Sequence, residues 1–326
     1  REEITSISKF WLDRGVKGFR LDAAGHFFET HPENIDFLGW FSDMVKSYKP
    51  DSYIVAEAWE NFNVQKYYYA GVESLFNFDG ANATGFIIDS IMARSGPQLS
   101  HYISNAFSDA YAINENALMA MFLTNHDMDR SSQMFTGDQL ERQKLGASVY
   151  ILTPGVPFMY YGEEIGLKGS RQGAMTDANR RLPMIWKRVG DKHRTNPPIG
   201  TTYNMANQVK YGAEDLLSEP FSLLNHYRKV INVRNFHPWI KNARAYNLRL
   251  NNNGVTGLTL KEHNGQRELH VIHNLLAEEV SLNLTRFISE YEVEIIHDIY
   301  TTGTRAKYVD GSLTLAPYSS VVLRRK

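Results

Sequence analysis

GFRLDAAGHFFE, residues 18–29, sets an arginine and an aspartate two positions apart at the end of a short apolar run, directly ahead of a helix-like segment. Side chains alternate along a strand, so Gly18, Arg20 and Asp22 share one face, and in a closed parallel barrel that face points into the mouth. A guanidinium beside a carboxylate favours the ionised form, which a nucleophilic carboxylate requires. Taken alone, an R-x-D pair reads more readily as a structural ion pair capping the strand.

The pattern repeats downstream. YIVAEAWE, residues 53–60, places Glu57 after a β-branched run with Trp59 two residues on; apolar company raises a carboxyl pKa and suits a general acid. The competing reading is a charge complementing a helix N-terminus, and for Glu60 that reading is preferred. FLTNHDMDR, residues 122–130, ends a third run in a polar cluster. Asn125 and Asp127 would lie on one strand face, whereas His126 turns into a site only if the strand ends there; by itself it reads as a structural histidine. Three acidic groups at the carboxyl ends of three parallel strands are what barrel enzymes use to build active sites.

Around these stretches, short apolar strands are predicted at 17–22, 53–57, 75–78, 119–124 and 156–161, and helices at 34–48, 139–152 and 218–235. Ile4, Ile7 and Trp11 also recur at helical spacing until Gly15. Strand and helix in alternation indicate βα units around a parallel sheet. After Pro238 the texture changes. Asn253-Gly254, Asn264-Gly265 and Asp310-Gly311 each sit among strand-like residues, a strong hairpin signal, and predict a small antiparallel sandwich. The expected domains are therefore a partial α/β barrel at 1–237 and a β-sandwich at 238–326.

The totals agree with a two-domain globular chain of 326 residues, 43% apolar and 22% charged. With 35 Lys+Arg against 36 Asp+Glu, nothing favours nucleic acid or an anionic membrane surface as partner. The absence of cysteine excludes disulfides, thiolate metal sites and cysteine nucleophiles. No apolar run approaches the roughly 18 residues that cross a bilayer. HFFETH at 26–31 is not a zinc site, because His26 and His31 would sit about 140° apart around a helix.

GFRLDAAGHFFE, IVAEAWE and FLTNHD together resemble the second, third and fourth signature regions of the α-amylase superfamily, glycoside hydrolase family 13, in family order. The likeness continues through TPGVPFMYYGEEIGL at 153–167, DANRRLPMIW at 177–186 and the sandwich tail. The resemblance implies a partial TIM (β/α)8 barrel, about strands 4 to 8. It also implies a retaining hydrolase of starch-like α-glucans, or of maltooligosaccharides, of the α-amylase type. Asp22 would be the nucleophile, Glu57 the general acid, and Asp127 the carboxylate that stabilises the transition state. Arg20 and His126 would orient the nucleophile and bind the sugar. Arg130 matches an arginine found in part of the family and would also bind substrate. Trp59, Tyr67, Tyr68 and Trp186 are placed to stack on sugar rings, while the NRR at 179–181 reads as a solvated charge run.

Gly25 stands where typical α-amylases carry a lysine, leaving only His26 of the pair that contacts sugar on the leaving-group side. In the family the backbone carbonyl at the His26 position helps bind a structural calcium, whose other ligands come from the first region and domain B. Neither region is found ahead of residue 18, so the expectation is a carboxyl-terminal portion of a longer enzyme, inactive without its amino-terminal barrel strands. Three alternatives stay open: an exo-α-glucosidase, a glucanotransferase of the same family, and a non-catalytic amylase-like scaffold subunit. Polymeric starch as substrate would favour an extracellular bacterial setting.

Overall fold

The computed structural model describes residues 1–137, 139–171, 177–288 and 292–326. The first half carries α1 (Glu2–Asp13), β1 (Gly18–Leu21), α2 (His31–Tyr48), β2 (Tyr53–Ala56), α3 (Phe62–Gln65), β3 (Ser74–Phe76), α4 (Phe86–Ala93), α5 (Gly96–Ile113), β4 (Leu118–Met121), α6 (Gln139–Leu152) and β5 (Val156–Pro157). After α7 (Ala213–Leu217) and α8 (Leu223–Phe236) the chain is almost entirely β. The strands there are β6 (Arg244–Asn247), β7 (Val255–Lys261), β8 (Glu268–Asn274), β9 (Val280–Asn283), β10 (Val293–Ile299), β11 (Lys307–Val309), β12 (Ser312–Leu315) and β13 (Ser320–Arg325).

The five predicted barrel strands are all present, in the sheet order β1-β2-β3-β4-β5. Two compact units make up the chain: Arg1–Asp79 with Asn105–Ala120, and Gly80–Ser104 with Met121–Lys326. The boundary expected at residue 237 falls between α8 and β6, inside the second unit.

In the first unit β1, β2, β3 and β4 pair in parallel, with Leu21 opposite Ala56, so that the chain leaves both strands side by side at Asp22 and Glu57. β2, β3 and β4 are mostly buried, as strands covered on both faces must be, but β1 is only half-buried. The spacing of Ile4, Ile7 and Trp11 located α1 without identifying its buried face: Ser8 and Leu12 are buried, while Ile7 and Trp11 are about half exposed. α2 begins three residues earlier than predicted. Thr30 and Glu33 cap it reciprocally and Pro32 occupies its first turn, a T-x-x-E signal legible in the sequence.

In the second unit β4 hands over to β5 through Phe158 N–H, which donates to Met121 O at 2.8 Å. The β-rich region forms two antiparallel sheets, β10-β13-β8-β7-β6 and β11-β12-β9, around a core that includes Leu250, Ile272, Leu282, Leu313 and Leu323. Asp310-Gly311 turns between β11 and β12 with both residues at positive φ, the geometry a two-residue hairpin requires. Asn253 receives the N–H of Gly96, and a Cβ at Gly96 would lie 2.2 Å from Val255 O, so only glycine lets α5 start there. Among the described residues no helix is long and apolar enough to cross a membrane.

Candidate active site

The first unit brings Arg20, Asp22 and Glu57 together. Arg20 Nη1 bonds Asp22 Oδ1 at 2.6 Å, and Nη2 bonds Glu57 Oε2 at 2.7 Å, so one guanidinium spans both carboxylates. Glu57 Oε2 also accepts the Ala23 N–H at 3.3 Å, and the Glu57 carbonyl accepts from Ala24 at 2.8 Å. Ala23 reaches this position in the left-handed region, φ 45°, a conformation that costs a non-glycine residue about 1–2 kcal/mol. Burial opposes the charge of Arg20, but Glu57 and Asp22 outweigh it and hold the guanidinium pKa above its ordinary value. The Asp22 side chain is 74% exposed and that of Glu57 only 9%. The apolar company expected around Glu57 is thus replaced by a guanidinium and a backbone N–H, while Trp59 stacks on Phe78 at 4.6 Å.

The second unit holds the third carboxylate. β4 ends at Met121, so residues 122–130 form a loop and His126 is free of the strand constraint. His126 Nε2 lies 3.1 Å from Asp127 Oδ2, and Arg181 Nη2 bonds Asp127 Oδ1 at 2.6 Å. The NRR stretch is therefore not a solvated charge run. Arg180 pairs with Asp129 at 2.8 Å and Asp177 at 3.0 Å and donates to the Asp127 carbonyl at 2.7 Å. Asn179 is buried, accepting the N–H groups of Thr202 and Tyr203. The overlooked signal is compositional: two arginines and three nearby aspartates, 127, 129 and 177, which no local spacing joins.

Two expected sugar contacts are placed elsewhere. Arg130 is buried, its guanidinium 4.4 and 4.5 Å from the ring centres of Tyr160 and Tyr161, donating to Arg180 O and Tyr161 O. Burial holds its pKa below the ordinary arginine value, and it ties three loops together instead of meeting ligand. Tyr68 is fully buried, its hydroxyl 2.7 Å from His31 Nδ1, and offers no stacking face. Trp59, Tyr67 and Trp186 remain open to solvent. His26 is exposed in the short turn after Ala23.

A family model described as the alpha amylase catalytic domain matches residues 1–243. The chain belongs to the α-amylase family. A second model, the C-terminal domain of the alpha-amylase SusG, matches residues 260–322. Alpha-amylase 3 of Dictyoglomus thermophilum is 31% identical over 326 aligned residues, covering 99% of this chain and 61% of that relative. A 4-alpha-glucanotransferase of Thermotoga maritima is 27% identical over 299 residues, covering 90% of this chain and 63% of that protein. Among solved structures, Eubacterium rectale Amy13B superposes with a TM-score of 0.90 at 30% identity, over 100% of this chain and 63% of that one. The α-amylase-family chain thus spans about three fifths of the length of these relatives.

The calcium that the family implies would take one ligand, the His26 backbone carbonyl, from this α-amylase-family chain. His26 would supply one carbonyl oxygen, calcium takes about six to eight oxygens, and among the described residues no group of three or more His, Asp or Glu side chains could hold a metal. Gly25 is not imposed by packing: an added Cβ would meet only Tyr68 Oη, at 3.6 Å. The missing side chain at this family lysine position is a difference in chemistry rather than a steric demand.

Proposed function

We propose that the protein to which this chain belongs is a retaining glycosidase that cleaves internal α-1,4 links of starch-like α-glucans. The observation that carries the reading is the single Arg20 guanidinium bonded to both Asp22 and Glu57. Retention calls for carboxyl groups about 5–5.5 Å apart, against roughly 6.5–9.5 Å in inverting enzymes, and a guanidinium shared by both carboxylates supports the closer arrangement.

In this reading Asp22 attacks the anomeric carbon. The ester bond forms as the glycosidic C–O bond breaks, and the leaving oxygen takes a proton from Glu57. Glu57 then removes a proton from water, whose oxygen displaces Asp22; two inversions restore the starting configuration. Arg20 fixes both groups without entering the bond changes. Asp127, oriented by Arg181 and His126, binds sugar hydroxyls and offsets charge at the oxocarbenium-like centre.

The test is product analysis on maltooligosaccharides and polymeric α-glucan with the full-length protein. Products released in the α-anomeric form, with at least about a 10³-fold loss in Asp22→Asn and Glu57→Gln, are expected. β-Anomeric products, or activity indifferent to Asp22, would sink the assignment. The name of the Thermotoga maritima relative supports a transfer reading as well, and longer products growing in as the substrate is consumed would select it. For the 326-residue chain by itself we expect no turnover, since five parallel strands are described and a closed barrel needs eight.

A further inference from the structure

Within the first unit, the segment that carries Glu57 is fastened from two sides. On the β1 side its own backbone is held: the Glu57 N–H donates to Leu21 O at 2.9 Å, and the Glu57 carbonyl accepts from Ala24 at 2.8 Å. On the β3 side the fastening is made by α3. Phe62, the first residue of that helix, donates its N–H to Asp79 Oδ2 at 3.0 Å. Gln65, the last, is 1% exposed, and its side-chain amide bridges two carbonyls: Nε2 lies 2.6 Å from Ala58 O and 2.8 Å from Phe76 O.

The two acceptors belong to the chain ends that matter here. Ala58 follows Glu57 directly, so its peptide sets the direction in which the backbone leaves β2 past the carboxylate. Phe76 ends β3 two residues before Phe78, the buried ring on which the half-exposed Trp59 stacks at 4.6 Å with 15° between the planes. One amide therefore ties the exit of β2 to the exit of β3. Ala58 O also accepts the Glu60 N–H at 2.9 Å, so losing Gln65 would leave that turn bonded and remove only the tie between the two strand ends. A side chain that merely filled this buried space would need no donors, whereas an amide is stable there because both of its N–H groups are used. A general acid has to stay within about 2.6–3.2 Å of the oxygen it protonates, and Arg20 holds only the carboxylate end of Glu57, not the peptide behind it.

We propose that Gln65 is a positioning residue for the general acid: by bonding Ala58 O and Phe76 O it fixes the peptide behind Glu57 and so aims the carboxyl group at the leaving oxygen. The inference rests on Glu57 being the acid, as proposed above. The experiment compares, in the full-length protein, kcat/KM for maltopentaose with kcat/KM for α-maltotriosyl fluoride. Both report the step in which the bond at the anomeric carbon breaks; the sugar leaving group takes a proton from the acid as it departs, whereas fluoride leaves as the anion. Gln65→Met, which keeps the length of the side chain and loses its donors, should lose about 10- to 100-fold on maltopentaose and less than about threefold on the fluoride. Gln65→Glu, of the same shape and with at most one donor, should show the same split to a smaller extent, and it carries the test should Gln65→Met fail to fold. Glu57→Gln is the control and should show the split at its largest. Equal losses on both substrates in the Gln65 variants, or no loss on either, overturn the positioning role while Glu57→Gln keeps its split. A Glu57→Gln variant that loses equally on both substrates defeats the functional reading itself, and the role of Gln65 falls with it.

Discussion

Arg181 shows how a single side chain far along the sequence governs a residue that local reading had already found. It bonds Asp127 Oδ1 at 2.6 Å and the His126 carbonyl at 3.2 Å, yet is itself about two-fifths exposed. Removing a charge-assisted bond to a carboxylate costs about 1.5–3 kcal/mol, so Arg181→Ala should lower kcat/KM of the full-length enzyme about 10- to 100-fold. The melting temperature should move by only a degree or two, and Arg181→Lys should restore part of the rate; steady-state kinetics beside thermal unfolding reads both. Two glycines make a second contrast. An added Cβ at Gly18 would lie 1.8 Å from Tyr53 O across the β1–β2 ladder, whereas at Gly25 its nearest neighbour is 3.6 Å away. Gly18→Ala should therefore destabilise by more than about 3 kcal/mol and Gly25→Ala by less than about 1 kcal/mol in denaturant titration.

At the scale of elements, α6, α8 and the loop after β5 meet at a buried acid. Glu163 Oε1 accepts from Tyr150 at 3.0 Å and from Tyr227. Burial raises its pKa to about 7, the two hydroxyls pulling the other way. An unfolded glutamate titrates near 4.3, so between there and pH 7 the native state keeps a proton that the unfolded chain has released. The contribution of Glu163 is thus full at low pH and lost as pH rises toward 7. His226, bonded to Ser148 Oγ between the same helices, runs oppositely: burial pushes its pKa down to about 3. Its contribution is full above pH 6.5 and lost as pH falls. The opposed slopes cancel between about pH 4.5 and 6.5 and predict a stability plateau on the mildly acidic side; Glu163→Gln should leave stability rising with pH across that window, and melting temperature against pH checks it.

For the chain as a whole, β1 sits at the end of the parallel sheet and is only half-buried, and Ile7, Phe10 and Trp11 of α1 are exposed. A strand edge with unpaired backbone groups beside exposed apolar rings is a template for another chain. The 326-residue chain by itself should therefore self-associate, and sizing chromatography across a tenfold concentration range should show it. A monomer throughout would contradict this. Ile7→Lys, on the exposed face of α1, should weaken the association by adding charge.

What the sequence by itself determined was local. The five short apolar runs became the five parallel strands to within a few residues, and 139–152 became α6, because strand and helix periods are properties of neighbours in the chain. Asp22 and Glu57 were legible for the same reason, each standing where an apolar run stops. Tertiary structure alone decided the rest: that Arg20 serves Glu57 as well as Asp22, that Arg180 and Arg181 clasp the 122–130 loop, and that Arg130 and Tyr68 are buried while Trp59 is open. A pattern of residue types fixes which faces are apolar. Which distant partner a charge or ring meets depends on where strands and loops pack, and no local period encodes that.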